Sequence, residues 1–150
     1  MGCDIHSRAE KRENGKWTVI PGLAPFDWRS YGMYGFLANV RNYSAVPPIS
    51  EPRGLPDDAP PEDEDNGWLG DHSYSWLSLD ELNAFDYDAQ VEDRRYTRQE
   101  GPNYWNGAAT AEPGQGKMMT WREFLGEAFF DDLKKLKDAG AERIVFGFDS

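Results

Sequence analysis

The chain contains two histidines, and each lies in a short polar cluster beside a carboxylate. His6 follows Asp4 by two residues near the N-terminus, and His72 stands between Asp71 and Ser73 in the middle of the chain. Histidine has an unperturbed pKa near neutrality, and a neighbouring carboxylate can fix its tautomer or stabilise the imidazolium. The clusters therefore predict an acid/base couple of His6 and His72, oriented by Asp4 and Asp71. The alternative is that one or both histidines are hydrogen-bonded structural residues.

The N-terminal cluster is predicted to lie on the first strand of a β-hairpin. Extended segments at residues 3–9 and 16–20 flank Asn14-Gly15, a dipeptide typical of two-residue hairpin turns. Because side chains alternate along a strand, Asp4 and His6 share one face.

The C-terminal end is predicted to be a helix followed by a buried strand. Thr120 and Glu123 form a capping box, and Gly140 supplies the end of the helix. The helix has apolar residues at helical spacing, namely Leu125, Phe129, Leu133 and Leu136. Residues 143–149 are β-branched and aromatic, which is typical of a buried strand.

Pairing of the two terminal strands would bring Asp149 to Asp4 and His6, and the central loop would add His72. Together these four side chains could hold a divalent metal ion that activates water. Without a metal, the acid/base couple could deprotonate a ribose 2′-hydroxyl and protonate the leaving oxygen. The alternative is that Asp149 is an exposed terminal residue outside any site.

The remaining segments complete an α+β pattern. Residues 29–41 carry apolar groups at helical spacing, and two glycines in this segment predict a close-packed helix face. Prolines and acidic residues predict a long irregular loop at about 44–67, and residues 78–81 form a second capping box. Residues 87–119 carry Gly, Asn and Pro throughout, and no helix or strand is predicted there. We expect a single domain, 1–150, in which the N-terminal hairpin and C-terminal strand share one sheet packed against the amphipathic C-terminal helix.

Composition limits the classes of partner. The formal net charge of −11 argues against binding of duplex nucleic acid, which depends on Lys and Arg neutralising phosphates. It leaves room for a small phosphorylated ligand, because a pocket needs only two or three arginines. Arg29, Arg41 and Arg53 are the candidate phosphate contacts. The same charge raises the alternative of an acidic inhibitor or DNA mimic.

A polar and aromatic stretch follows His72. Ser73, Ser75 and Trp76 combine hydroxyls with a ring, which suits recognition of a phosphate by hydrogen bonds and of a nucleobase by stacking. A buried polar turn would have the same composition.

The single Cys3 excludes an internal disulfide, and its place on the predicted strand makes it a small buried residue facing away from His6. No segment approaches the ~20 apolar residues of a membrane span, so we expect a cytoplasmic protein with no membrane partner. The chain also lacks a phosphate-binding Gly-x-x-x-x-Gly-Lys motif, a Gly-x-Ser-x-Gly elbow and a His-x-Ser/Thr pair.

Four short stretches carry a resemblance. They are Met-Gly-Cys-Asp-Ile-His at residues 1–6, Pro-Arg-Gly-Leu-Pro at 52–56, Asp-His-Ser-Tyr-Ser-Trp-Leu at 71–77 and Arg-Ile-Val-Phe-Gly-Phe-Asp at 143–149. The chain resembles a family of small proteins of tailed bacteriophages and prophages, most of which have no assigned activity. The resemblance implies a viral context, and by analogy a counter-defence role in the cytoplasm of an infected cell.

The resulting hypothesis is a phage protein that removes a nucleotide immune second messenger by cleaving a phosphodiester of a cyclic oligonucleotide. A first alternative is a sponge that sequesters a cyclic nucleotide or ADP-ribose-type signal intact, in a pocket of Trp, Tyr and Arg. Such a pocket could be built at the interface of a homo-oligomer. The second alternative is the acidic inhibitor or DNA mimic.

Overall fold

The computed structural model describes residues 2–61, 66–100 and 103–150, with side chains for all of these except 96–100 and 103–108. The fold is a mixed α+β arrangement with a four-stranded antiparallel sheet. The strands are β1 (Asp4–Glu13), β2 (Lys16–Val19), β3 (His72–Ser78), β4 (Gln90–Asp93), β5 (Arg95–Glu100), β6 (Asn103–Thr110), β7 (Lys117–Thr120) and β8 (Arg143–Asp149). The helices are α1 (Tyr31–Ala38), α2 (Leu79–Ala84), α3 (Trp121–Leu125) and α4 (Glu127–Asp138).

The chain forms two compact units. The first comprises Met1–Arg29, Pro52–Phe85 and Glu127–Ser150, and the second comprises Ser30–Glu51 and Asp86–Gly126. The first unit contains the four-stranded sheet, with strand order β2-β1-β8-β3. The C-terminal strand β8 is therefore an inner strand of the main sheet, as the sequence predicts.

The predicted N-terminal hairpin is confirmed. Asn14 and Gly15 adopt φ values of 53° and 77°, the left-handed pair that a tight hairpin turn requires. Because this turn fixes the register, Arg12 pairs with Trp17 across the hairpin. Pairing of the terminal strands is also confirmed, with Asp4 opposite Asp149.

One face of the sheet is apolar and forms the core of the first unit. Phe146 and Phe148 of β8 are fully buried on it, as is Cys3 at the start of the chain. Helix α4 contributes an amphipathic stripe, and its Phe129 stacks on Phe26 with ring centroids 4.6 Å apart. The buried side of α4 consists of Phe129, Leu133 and Leu136, the apolar residues that the sequence predicts for the inner face of this helix.

The expected single C-terminal helix is two helices. The Thr120 capping box is present, but the chain turns at Gly126, whose φ of 84° ends α3 before α4 begins. A left-handed residue cannot continue a right-handed helix, and glycine adopts that conformation at no steric cost. The other capping box, at residues 78–81, opens α2 as predicted.

The second unit contains α1 and two two-stranded ribbons, β4 with β7 and β5 with β6. The predicted glycine face of α1 is confirmed, since a Cβ on Gly32 would lie 2.9 Å from the Phe124 ring and one on Gly35 would lie 2.5 Å from Asn42. The ribbons correct the expectation that residues 87–119 form no element. β4 and β7 have four residues each and pair across more than twenty residues, so local periodicity did not reveal this ribbon.

Residues 44–61, 66 and 67 contain no helix or strand, in agreement with the predicted irregular loop. Residues 62–65 of that prediction lie outside the described part of the chain. Among the described residues, no helix has the length and apolar character that crossing a membrane requires.

Candidate functional site

The face of the sheet opposite the core is lined by polar side chains. Alternation along β1 places Asp4, His6, Arg8, Glu10 and Arg12 on this polar face. The register partners of Asp4, His6, Arg8 and Glu10 on β8 are the odd-numbered residues from 143 to 149. The sheet therefore has one apolar face and one face on which charges of both signs follow each other.

Three of these charges are buried and paired. The Glu10 carboxylate accepts from Arg8 Nε at 2.8 Å and from Arg143 Nε at 2.7 Å, and Glu10 is fully buried. Arg8 and Arg143 are 3% and 5% exposed. Burial of a guanidinium is tolerated only when it is paired, so one carboxylate shared by two arginines forms the centre of the polar face.

The Pro-rich segment covers this centre. Arg8 Nη2 donates to the Pro60 carbonyl at 2.8 Å, and Arg143 Nη1 donates to the Asp58 carboxylate at 3.0 Å. The Leu69 carbonyl lies over Gly147 so closely that a Cβ there would approach it to 2.1 Å. Irregular chain therefore covers the polar face, and its acceptors meet the arginine donors.

A cavity of about 830 Å³ lies at one end of the polar face. Three arginines and two tryptophans line it, and we call it the Arg–Trp cavity: Arg12, Arg53, Arg143, Trp17 and Trp76. The Arg143 guanidinium carbon lies 3.7 Å from the centre of the Trp17 ring, and that of Arg53 lies 4.7 Å from the centre of the Trp76 ring. Arg12 is also over Trp17, at 5.2 Å. Planar cations and rings thus line the same space.

Each arginine of the cavity has a carboxylate partner. Arg12 pairs with Glu142 at 3.0 Å, and this contact, led by the Arg12 backbone N–H, lowers the pKa of Glu142. The hydrogen bond from Arg53 lowers the pKa of Glu81 to about 2. Arg143 has Glu10 and Asp58, and it lowers the pKa of Asp58. The guanidinium groups are therefore held in place before any ligand arrives.

His6 lies toward the other end of the polar face. Its Nε2 is 2.5 Å from the Asp149 carboxylate, and both side chains are about 30% exposed. The half-exposed Trp68 lies beside it, with ring centroids 4.7 Å apart. Asp4, directly opposite Asp149, accepts two hydrogen bonds from Arg29, which lower its pKa. The predicted convergence of Asp4, His6 and Asp149 is therefore present, and Arg29 belongs to it.

His72 does not join them. It pairs with Phe148, which faces the core, and its ring stacks near Phe148 with centroids 6.2 Å apart. His6 pairs with Gly147, the next residue along β8, so the two histidines lie on opposite faces of the sheet. The nitrogens of His72 contact the hydroxyls of Ser73 and Ser150. The two-histidine couple expected from the sequence is not assembled.

The other predicted site residues are dispersed. Asp71 is exposed and hydrogen-bonds through its backbone to Phe148, and Ser73 occupies a bulge with a φ of 56°. Ser75 is fully buried and accepts from the Arg53 backbone N–H. Only Arg53 and Trp76 of the predicted ligand-binding residues line the Arg–Trp cavity. Arg41 belongs to the second unit, where it lies over Tyr31.

The described residues contain no group of three or more His, Cys, Asp or Glu side chains arranged to hold a metal ion. In particular, the opposite placement of His72 removes it from the set with Asp4, His6 and Asp149 that the sequence suggested.

Sequence reasoning missed Arg12, Trp17 and Arg143 as site residues. The one available signal was the polar residue at every second position of β1, which marks a non-core face but does not say what covers it. Comparison of the chain with protein-family models, with curated proteins and with solved structures found no match.

Proposed function

We propose that the protein binds a small anionic ligand with aromatic rings, a nucleotide second messenger, intact in the Arg–Trp cavity and thereby sequesters it. The observation that carries the proposal is the convergence of three arginines and two tryptophans on one cavity of about 830 Å³. Ligand pockets commonly have volumes of about 300–1,000 Å³, and the volume of the Arg–Trp cavity falls in this range.

The side chains of the cavity match the parts of a nucleotide. Guanidinium groups bind phosphate oxygens in bidentate fashion, and their planes stack on rings. Indole rings stack on nucleobases with an energy of about 1–3 kcal/mol per base and little dependence on the base. A ligand with both a phosphate and a base would contact Arg12 and Trp76 at once. A phosphate without a base, or a base without a phosphate, would contact only one of these two side chains.

Acidic residues also line the cavity, namely Asp57, Asp58, Asp80 and Glu142, so anion binding requires that a phosphate replace a carboxylate on an arginine. The Arg12–Glu142 pair lies at the surface, with side-chain exposures of 60% and 36%. Such pairs are worth about 0–1 kcal/mol, so a phosphate can replace the carboxylate at small cost. Phosphate oxygens accept the same kind of charge-assisted hydrogen bond from a guanidinium as carboxylate oxygens do, so the bonds lost are replaced in kind.

Sequestration is favoured over cleavage because of where the histidines lie. A metal-free phosphodiesterase needs an acid and a base on opposite sides of one phosphodiester, and His6 and His72 lie on opposite faces of the sheet. The described residues that line the Arg–Trp cavity include no histidine. Binding there would lower the concentration of free signal without turnover, which matches the counter-defence role that the phage resemblance implies.

The test is isothermal titration of the protein with cyclic di- and trinucleotides and with cyclic ADP-ribose isomers, followed by chromatography before and after heat denaturation. We expect one ligand class to bind and to return intact on heating. Trp76→Ala should weaken binding by roughly 5- to 150-fold, the equivalent of about 1–3 kcal/mol. Trp68→Ala removes an exposed ring outside the cavity and should leave the affinity unchanged.

A second pair of variants tests the phosphate contact. Arg12→Ala should weaken binding several-fold and reduce its dependence on salt. Lys11→Ala makes the same change of charge on the opposite face of β1 and should leave the affinity unchanged. Failure of every ligand to bind, or equal effects of both charge variants, would exclude the Arg–Trp cavity as the site.

Cleavage at His6 is the second candidate, carried by the His6–Asp149 contact. When Nε2–H donates to the Asp149 carboxylate, Nδ1 of His6 carries the lone pair and can act as a base. In the same chromatography, turnover would give a product before heating that is lost in both His6→Ala and Asp149→Asn. His72→Ala should retain that product, because His72 lies on the other face.

A further inference from the structure

Asp58 is an exposed carboxylate of the Arg–Trp cavity that contacts a buried arginine. It lies in the irregular Pro-rich segment, and its carboxylate accepts from Arg143 Nη1 at 3.0 Å. The Trp17 side chain also hydrogen-bonds to it. Although its partner Arg143 is 6% exposed, the Asp58 side chain is 64% exposed. A solvated carboxylate therefore reaches in from the rim to a buried cation.

Arg143 has two carboxylate partners that differ in burial. Glu10 is fully buried, accepts a hydrogen bond from Arg143 Nε at 2.7 Å and also neutralises Arg8. Among the described residues, loss of Glu10 would leave the buried Arg8 without a carboxylate partner and Arg143 with Asp58 alone, which is strongly unfavourable. Asp58, whose side chain is 64% exposed, can withdraw into water while Glu10 continues to neutralise Arg143. Of the two partners, Asp58 is thus the exchangeable one.

The donors of Arg143 are not all used. Its Nη2 has no hydrogen-bond partner among the described residues, while Nη1 donates to Asp58. A phosphate presents several charged oxygens and can accept from both terminal nitrogens of a guanidinium. Once Asp58 has moved aside, a phosphate would therefore satisfy one more donor than the carboxylate does.

We infer that Asp58 is a built-in competitor that holds the phosphate position of the Arg–Trp cavity, and that the ligand binds by displacing it from Arg143. This inference rests on the proposed binding function. The contact is autoinhibitory, because it lowers the affinity of the cavity for every anion. Only ligands whose phosphate and rings together bind more strongly than the Asp58 carboxylate would displace it. A simple inorganic anion, which lacks rings, should compete poorly with Asp58.

The experiment measures the affinity of the full-length protein for cyclic di-AMP, cyclic di-GMP and pyrophosphate by isothermal titration. Asp58→Asn keeps the size of the side chain and removes its charge. We expect this variant to bind the cyclic dinucleotide about fivefold more tightly, the factor that an exposed ion pair of this kind is worth. Pyrophosphate binding should appear or strengthen by a similar factor.

Two matched variants separate this contact from a general effect of charge. Asp57→Asn removes a neighbouring charge from the same cavity and should raise the affinity clearly less than Asp58→Asn does, because it is Asp58 that contacts Arg143. Asp58→Glu restores the charge and should return the affinity to the wild-type value or below. Circular dichroism confirms that each variant is folded.

The outcomes of the titrations separate a failure of the competitor role of Asp58 from a failure of the proposed binding function. If the wild type binds a dinucleotide and Asp58→Asn binds it no more tightly, the competitor role is overturned and the binding function stands. If Asp57→Asn gains as much as Asp58→Asn, the effect is general electrostatics and the competitor role is overturned as well. If neither the wild type nor Asp58→Asn binds any probe, the proposed function fails and the inference fails with it.

Discussion

The buried triad on the polar face gives the sharpest stability prediction. Glu10 is fully buried and accepts from Arg8 Nε at 2.8 Å and from Arg143 Nε at 2.7 Å. Glu10→Gln keeps the shape of the side chain but removes the one negative charge that both buried arginines share. The variant would leave two guanidinium groups, each at most 6% exposed, facing the same neutral amide.

The magnitude follows from the cost of an uncompensated buried charge. Removing one partner of a buried pair costs about 3–5 kcal/mol. Asp58 stays on Arg143 and offsets part of the cost at that end, but among the described residues Arg8 keeps only the Pro60 carbonyl as a hydrogen-bond acceptor. We therefore expect a loss of about 3 kcal/mol, a large fraction of the ~5–15 kcal/mol stability of a typical domain.

Urea unfolding monitored by tryptophan fluorescence measures this loss. At an m-value of about 2 kcal/mol/M, the midpoint of Glu10→Gln should fall by about 1.5 M. The control is Glu142→Gln, which breaks the exposed pair with Arg12 and should cost less than about 1 kcal/mol. A shift for Glu10→Gln no larger than that of the control would refute the view that Glu10 neutralises both arginines.

Three further predictions concern single positions. Gly147→Ala should lower stability by about 1–3 kcal/mol in urea unfolding, because its Cβ would meet the Leu69 carbonyl at 2.1 Å; an unchanged midpoint would contradict the close approach. Gly35→Ala should also lower the stability of the fold, although a Gly-to-Ala change in a helix usually raises it by about 1 kcal/mol. The added Cβ would displace the Asn42 amide, which hydrogen-bonds to Val46. A rise in melting temperature would count against this. Glu81→Gln tests linkage: the lowered pKa of Glu81, about 2, stabilises the fold above pH 4.5, and this contribution is lost as the pH falls toward 2. The stability difference between wild type and Glu81→Gln should therefore shrink over that range, and a constant difference would oppose the assignment.

The parts of the fold that could be predicted are those with local causes. Asn14-Gly15 specifies a two-residue turn by its conformational preference, and the capping boxes at residues 78–81 and 120–123 specify helix starts by hydrogen bonds within four residues. The period of two in the terminal strands was enough to place Asp4, His6 and Asp149 together. These features need no knowledge of distant chain.

The parts that could not be predicted depend on distant partners. The ribbon of β4 and β7 forms from four-residue strands separated by more than twenty residues, and neither strand has a pattern that stands out alone. The bulge at Ser73 sets the face on which His72 lies, and a register shift of this kind leaves no mark in a single sequence. The candidate site changed for the same reason: Trp17 and Arg143 lie 126 positions apart, and only the sheet brings them together.

The composition of the Pro-rich segment is chemically complementary to the polar face of the sheet that it covers. The polar face is rich in guanidinium donors, so the segment over it must supply acceptors. Proline has a carbonyl but no N–H, and Pro60 uses its carbonyl for Arg8. An acidic side chain supplies the other acceptor, Asp58, for Arg143. The prolines and acids that from sequence indicate only an irregular, solvated loop are thus chemically matched to buried arginines. A helix would cover the face less well, because its carbonyls are already committed to its own N–H groups. It follows that the Pro-rich segment is part of the Arg–Trp cavity, and that the ligand proposed for this cavity would meet the negative charge of Asp58 there.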